Sequence, residues 1–223
     1  MLLNLFMVFK KKPKIGIVVG LKSEKRSIPK NKSLFIEIGY GKEAYGAAKK
    51  VLKNNLDLIV SFGLAGSMTK KIRNSEIIIP DKILNKEIKF KKTSMISNSY
   101  LRKKSKENIK KNVSLFTSEK ILNKKIKSKI NAVDMEAAFV FKAAIEHKVP
   151  FTCVKVIFDD LENPLPSFLI NSIDNNGKLK IFSLLIEILK SPYRIKDLIK
   201  LNKIYIKSMQ KLRIIATQLF HSN

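Results

Sequence analysis

Four places in the sequence carry residues able to do chemistry. Asp159 and Asp160 close an otherwise apolar run, 151–158 (FTCVKVIF), where partial burial would hold a carboxyl protonated near neutral pH. Asp134-Met135-Glu136 sets two carboxylates around a methionine ahead of an apolar helical pattern. Read alone, that tripeptide is a helix N-cap followed by a dipole-compensating Glu. Glu24 supplies a further carboxylate shortly after the first apolar run. Gly63-Leu64-Ala65-Gly66 reads as a turn in which small residues let the backbone approach a ligand and aim N–H groups at it. It lacks the Lys-[Ser/Thr] ending of a P-loop and does not fit GxGxxG. Two carboxyls in one pocket, one protonated and one ionised, are the equipment for breaking a glycosidic bond.

Residues so far apart in the chain need a scaffold to meet, and the pattern supplies one. Apolar runs at 14–20 (KIGIVVG), 33–38 (SLFIEI), 57–62 (DLIVSF), 76–80 (EIIIP), 113–116 and 151–158 read as strands. Helical periodicity occupies 42–55, 118–125 and 134–147, the last starting at Asp134 with Met135, Ala138, Phe141, Ala144 and Ile145 on one stripe. Two further helices, 179–190 and about 195–220, are separated at Ser191-Pro192. The polar 86–112 stretch reads as a hairpin or a long excursion. Alternation without a break predicts one three-layer αβα domain over 14–223, with a C-terminal helical part at about 178–220. In such sheets ligands sit beyond the carboxyl ends of the strands. That rule selects 20–24, 63–67, Thr117-Ser118 and Asp159-Asp160.

The 223 residues include 45 Lys and Arg against 18 Asp and Glu, a net charge of +27. Forty of the 45 are Lys, and Ile (30) and Asn (17) are enriched with it. That trio shares A/T-rich codons, so most of the charge is compositional background. Residues 82–130 (16 basic, 3 acidic) and 178–213 (10 basic, 2 acidic) exceed it and are expected to touch an anionic membrane rather than nucleic acid. One Cys, Cys153, excludes an intramolecular disulfide, and with two His leaves little for a metal site, so none is expected. His147 and Cys153 read as structural, at a helix end and in a strand core. The start, MLLNLFMVFKKKPK, has its charge after its apolar run, the reverse of a secretory signal. Residues 1–13 therefore read as an N-terminal extension and the protein as cytoplasmic.

The segments 15–24 (IGIVVGLKSE), 39–42 (GYGK), 61–67 (SFGLAGS), 132–137 (AVDMEA) and 154–159 (VKVIFD) resemble, in order and spacing, the purine nucleoside phosphorylase / methylthioadenosine–adenosylhomocysteine nucleosidase superfamily. The likeness spans about 14–160, and Asp134-Met135-Glu136 is its most specific part. Thr117-Ser118-Glu119-Lys120, Leu165-Pro166 and the tail around Ser191-Pro192 are similar to the hopanoid-associated nucleoside phosphorylase group. The resemblance implies a central mixed, twisted sheet, a homo-oligomer, no cofactor, and release of adenine from an adenosyl nucleoside such as adenosylhopane. Asp159 would protonate purine N7, Glu24 would activate water, and Glu136 and Met135 would hold the ribose. Gly63, Ala65, Gly66 and Ser61 would line the sugar and nucleophile side, and Thr117 and Ser118 the base.

Departures from the family pattern bear on the nucleophile. Ser61 and Leu64 stand where phosphorylases place an Arg and a Ser on phosphate, and Glu24 stands where they place an Arg. Phosphate as co-substrate and water as nucleophile therefore both stay open. Lys155 replaces a usual Arg and is assigned to structure. A methylthioadenosine/adenosylhomocysteine nucleosidase is the rival within the same chemistry. A basic nucleic-acid- or membrane-binding module on an inactive phosphorylase fold is the rival of another class.

Overall fold

Strand alternation decides which layer each side chain meets. In β1 (Ile15–Val19), β3 (Leu58–Ser67) and β10 (Phe151–Asp159), residues Ile15, Ile17, Val19, Leu58, Val60, Phe62, Val154 and Val156 face one apolar cluster. Their neighbours Val18, Ile59, Cys153 and Ile157 face another. Each cluster is closed by helices, giving the expected three layers. The computed structural model describes residues 13–87, 91–120, 130–172 and 181–221.

After β1 come the one-turn helix α1 (Lys22–Lys25), β2 (Leu34–Ile38) and α2 (Glu43–Leu52), then the ten residues of β3. The two-residue β4 (Ile77–Ile78), β5 (Lys82–Leu84) and β6 (Lys91–Lys92) lead to α3 (Met95–Lys104). Then follow β7 (Ile109–Lys110), β8 (Ser114–Thr117), β9 (Ala132–Asp134) and α4 (Ala137–Glu146). After β10 the chain forms α5 (Ser167–Asn171), α6 (Ile181–Lys190) and the 27-residue α7 (Arg194–Phe220). Helices α2 and α4 cover the Ile59–Cys153 side of the sheet. Helix α7, with Leu101 of α3, covers the other through Leu212, Ile215, Ala216, Leu219 and Phe220.

The sheet is mixed, as the family resemblance implied. β3 is its axis: its first half runs parallel to β1, Ile59 to Gly66 run parallel to β10, and its end pairs antiparallel with β9 through Gly66 and Val133. The β3–β10 register slips between Ile157 and Asp159, leaving Phe158 as the extra residue and setting Asp159 across from Gly66. Such a bulge re-aims a side chain at a sheet rim. Gly66 thus lies between the strand that carries Asp134 and the strand that carries Asp159.

Three local expectations are corrected. Gly63-Leu64-Ala65-Gly66 is not a turn: β3 runs straight through it to Ser67. The 86–112 stretch contains a helix, α3, started by the Ser94 hydroxyl accepting from Ser97 N and tied down by Asn98 and Arg102. Asp134 ends a strand instead of opening a helix, yet its Oδ2 still accepts from Ala137 N at 2.9 Å and so caps α4. Residues 118–120 are not helical, and 121–125 fall outside the described residues, as does the extension over residues 1–12.

Candidate active site

The site grows from the end of β1. One turn beyond it, Glu24 folds back so that Oε2 accepts from Gly20 N and Leu21 N, both at 2.9 Å. Its Oε1 accepts from Leu64 N on β3 at 2.8 Å. A carboxylate offers about four lone-pair directions, so three N–H donors leave one free. The side chain has room because position 63 is glycine: a methyl there would lie 2.5 Å from Glu24 Oε1. Gly63 also adopts φ +152°, a conformation few side chains tolerate. Burial raises the Glu24 carboxyl, against the attraction of Lys155 and the three N–H groups.

Asp134-Met135-Glu136 enters from the β9–α4 junction. Asp134 is buried and held from three sides: it accepts from Thr117 Oγ1 (2.7 Å) and Ala137 N, and pairs with Lys155 Nζ at 2.9 Å. Glu136 is less constrained, with Gly41 N at 3.4 Å from Oε1 and Lys155 Nζ at 3.7 Å from Oε2. Burial pushes its carboxyl up to about 7, Lys155 opposing and Asp134 and Glu24 adding to the rise. Gly20 separates the two glutamates, since a methyl there would meet Glu136 Oε1 at 3.0 Å and Glu24 Oε2 at 3.5 Å. Met135 receives a hydrogen bond on Sδ from Tyr40 OH at 3.1 Å, joining the 39–42 segment to this junction. Lys42 reaches Glu119 at 3.0 Å on the surface nearby.

Asp159 completes the set from β10. It is partly buried, and a methyl on Gly66 would lie 2.9 Å from its Oδ1. Burial pushes its carboxyl up to about 6, with its own backbone N–H opposing and Asp160 adding to the rise. Asp160 has a different task. Its Oδ2 accepts from Asn74 N and its Oδ1 from Glu162 N and Asn163 N, which fixes the following loop and holds its carboxyl low despite partial burial.

The structure thus brings Glu24 and Glu136 together across Gly20, sets Gly63 against Glu24, and sets Asp159 against Gly66, three residues further along β3. Ser61, Ala65, Thr117 and Ser118 are placed otherwise. Ser61 is fully buried in β3 beside the Cys153 thiol, and Ala65 packs into the α2–α4 cluster. Thr117 spends its hydroxyl on Asp134 and on Ala138 N. Ser118 donates its backbone N–H to Asp134 O and its hydroxyl to Lys120 O. His147 ends α4 with its ring against Ala143 O, and Cys153 is core. A cavity of about 250 Å³ opens between residues 162–166 and α7, but the carboxyl cluster does not line it.

Lys155 is the residue whose part sequence reasoning understated. It is 1% exposed in the middle of β10, and it is the cation against which Asp134 and Glu136 are set. Burial would lower its ammonium; Asp134, Cys153, Glu136 and Glu24 together outweigh that and raise it. The signal was legible: a lone Lys inside an apolar strand demands a buried anion.

Solved structures share this arrangement of elements. The 5′-methylthioadenosine/S-adenosylhomocysteine nucleosidase of Helicobacter pylori is similar over 93% of this chain and 99% of its own, at 16% identity and a TM-score of 0.62. The corresponding nucleosidase of Neisseria meningitidis is similar over 93% and 98%, at 10% identity and a TM-score of 0.64. Futalosine hydrolase of Helicobacter pylori is similar over 93% and 98%, at 15% identity and a TM-score of 0.63. The chain shares its fold with these structures. No family model matches the sequence, and no curated protein matches it either. The expected αβα fold agrees with these structures. Among the described residues no group of His, Cys, Asp and Glu is arranged to hold a metal ion.

Proposed function

We propose that the protein hydrolyses the N-glycosidic bond of an adenosyl nucleoside, releasing adenine. One observation supports the reading: burial raises three carboxyls, Glu24 and Glu136 on either side of Gly20 and Asp159 against Gly66, in a fold shared with solved nucleosidases. Protonated Asp159 gives its proton to purine N7 as the bond from the base to the sugar breaks, so the base leaves neutral. The sugar left behind is electron-poor, and ionised carboxylates around it stabilise that charge. Glu136 accepts from the ribose hydroxyls, with Met135 against the ring. Glu24, through its remaining lone pair, takes the proton of the water that attacks the anomeric carbon. Adenine and the free sugar are the products.

Water is favoured over phosphate by the state of the donors. The N–H groups of Gly20, Leu21 and Leu64, which an anion at this turn would need, are already taken by the Glu24 carboxylate. A phosphate dianion would meet that carboxylate and Glu136, while the cation beside them, Lys155, is already paired with Asp134 and Glu136. The 5′ group has two candidates. The sequence resemblance supports adenosylhopane, and the structural neighbours support methylthioadenosine and S-adenosylhomocysteine.

The test is adenine release from adenosylhopane, methylthioadenosine, S-adenosylhomocysteine and adenosine, each with and without phosphate. Turnover that does not change with phosphate is expected for at least one. Asp159→Asn should lower it by about 10²–10⁴-fold, the usual worth of a general acid. Full activity in that variant would refute the acid assignment. No turnover of any adenosyl nucleoside, with salt-sensitive DNA binding, would favour an inactive binding module.

A further inference from the structure

The C-terminal helices leave a face that the enzyme reading does not use. Helix α6 packs on α5, and Leu189 near its end and Tyr193 just beyond it are 78% and 68% exposed. Along α7, Ile195, Ile199 and Ile206 are also exposed. At 100° per residue these three fall within about 40° of arc, a straight apolar line opposite the buried Leu212–Leu219 side. Exposed Lys196, Lys203 and Lys207 run beside that line. From Arg194 to Phe220 the helix holds seven basic residues and one acidic residue, Asp197. Lone surface apolar residues need no explanation, but an aligned set bordered by cations does.

We propose that the exposed face of α6 and α7 is a docking surface for an anionic lipid bilayer. Leucine, isoleucine and tyrosine side chains at this spacing enter the headgroup–acyl boundary, while the lysine stems snorkel to lipid phosphates. Among the described residues no helix is long and apolar enough to cross a membrane, so the contact is peripheral. A second copy of the chain fits the face poorly, because a two-fold contact would set the same lysines against each other. A polynucleotide fits poorly as well: phosphate would pair with the lysines, but Leu189, Ile195, Ile199 and Ile206 would have no bases to stack on. A bilayer satisfies both the apolar line and the charge. The surface is independent of the glycosidase reading and can fail without it.

The experiment is co-sedimentation of the full chain with phosphatidylcholine vesicles, with and without phosphatidylglycerol, at low and high salt. Binding to the anionic vesicles alone, weakened by salt, is expected. Near such a surface each lysine is worth about fivefold in partition, so K196Q/K203Q/K207Q should bind about 100-fold more weakly. The double variant L189E/I199E should lose binding too, with its melting temperature and adenine release unchanged, since neither residue touches the core or the carboxyl site. Equal binding to neutral vesicles, or no loss in either variant, would overturn the proposal. So would a dimer abolished by L189E/I199E, or duplex DNA bound through the same lysines in place of vesicles.

Discussion

Replacing Lys155 by methionine tests the electrostatics of the site most directly. Its Nζ lies 2.9 Å from Asp134 Oδ2 and 3.7 Å from Glu136 Oε2, and no side chain of the three is more than 9% exposed. Methionine fills a similar volume but strands two carboxylates in the interior. Removing one partner from a buried ion pair costs about 3–5 kcal/mol. In a domain of this size each kcal/mol moves Tm by about 2–4 °C, so a fall of roughly 6–20 °C is expected. The loss should also depend on pH. Glu136 titrates at about 7 in the folded chain, above its ordinary 4.5, so the folded state holds this proton more tightly than the unfolded one. Its contribution to stability is complete below about 4.5 and is lost as pH rises through 7. Without Lys155 the Glu136 carboxyl rises further, and each extra unit adds about 1.4 kcal/mol to the deficit at pH 8. Thermal unfolding followed by circular dichroism at pH 5.5 and pH 8 reads both effects. A variant within 2 °C of the parent at both pH values would refute the reasoning. Adding Asp134→Asn should restore part of the loss, since it removes a stranded charge and keeps an acceptor oxygen.

Asp159 supplies a pH test of function. Its carboxyl titrates at about 6 and must be protonated to act, so kcat/KM should fall tenfold per pH unit above that value. The residual activity of Asp159→Asn should lack this limb; a limb that persists would assign it to another group. Gly66→Ala tests the placement of the acid. The new methyl would sit 2.9 Å from Oδ1 and 3.1 Å from Oδ2 of Asp159, forcing the carboxyl aside. A displacement approaching 1 Å costs on the order of 10²-fold in kcat. Because the flexible end of a side chain yields, Tm should move by less than about 4 °C, and an unchanged kcat would show that the acid acts from elsewhere.

The layers were legible in the sequence because burial writes a period of two into strands and about 3.6 into helices. Residues 151–158 and 134–147 carry those patterns clearly, and β10 and α4 follow them closely. Helix α3 was not legible. Its buried face consists of Ser97, Asn98 and Leu101; the two polar residues are held by hydrogen bonds and not by apolar burial, Asn98 with Thr93, Pro80 and Thr152, and Ser97 with Ser94. The glycine stretch misled for a related reason. Glycine usually marks a turn, but here Gly63 and Gly66 are strand residues whose missing side chains are replaced by Glu24 and Asp159 arriving from other elements. Nothing local in 63–66 announces that exchange. Asp134, Glu136 and Asp159 could be named from their motifs. Which of them holds a cation could not, because Lys155 is 19 residues further on than Glu136 and meets it only through the fold.

The net charge of +27 and the chemistry of the site point in opposite directions, and burial reconciles them. Glu24, Asp134 and Glu136 surround one interior cation, Lys155, an excess of carboxyls in a strongly basic protein. Surface lysines lie in water, where charges more than about 10 Å apart are largely screened at 0.1 M salt. Lys155 does not, and so it sets the local balance almost alone. On the proposed function, such a site repels an anionic nucleophile and stabilises a cationic sugar. The same screening leaves the exposed cations free to act only at short range, against a surface that comes to them. A cation at the position of Lys155 that stayed in water could not hold two carboxylates in register; one buried in β10 can.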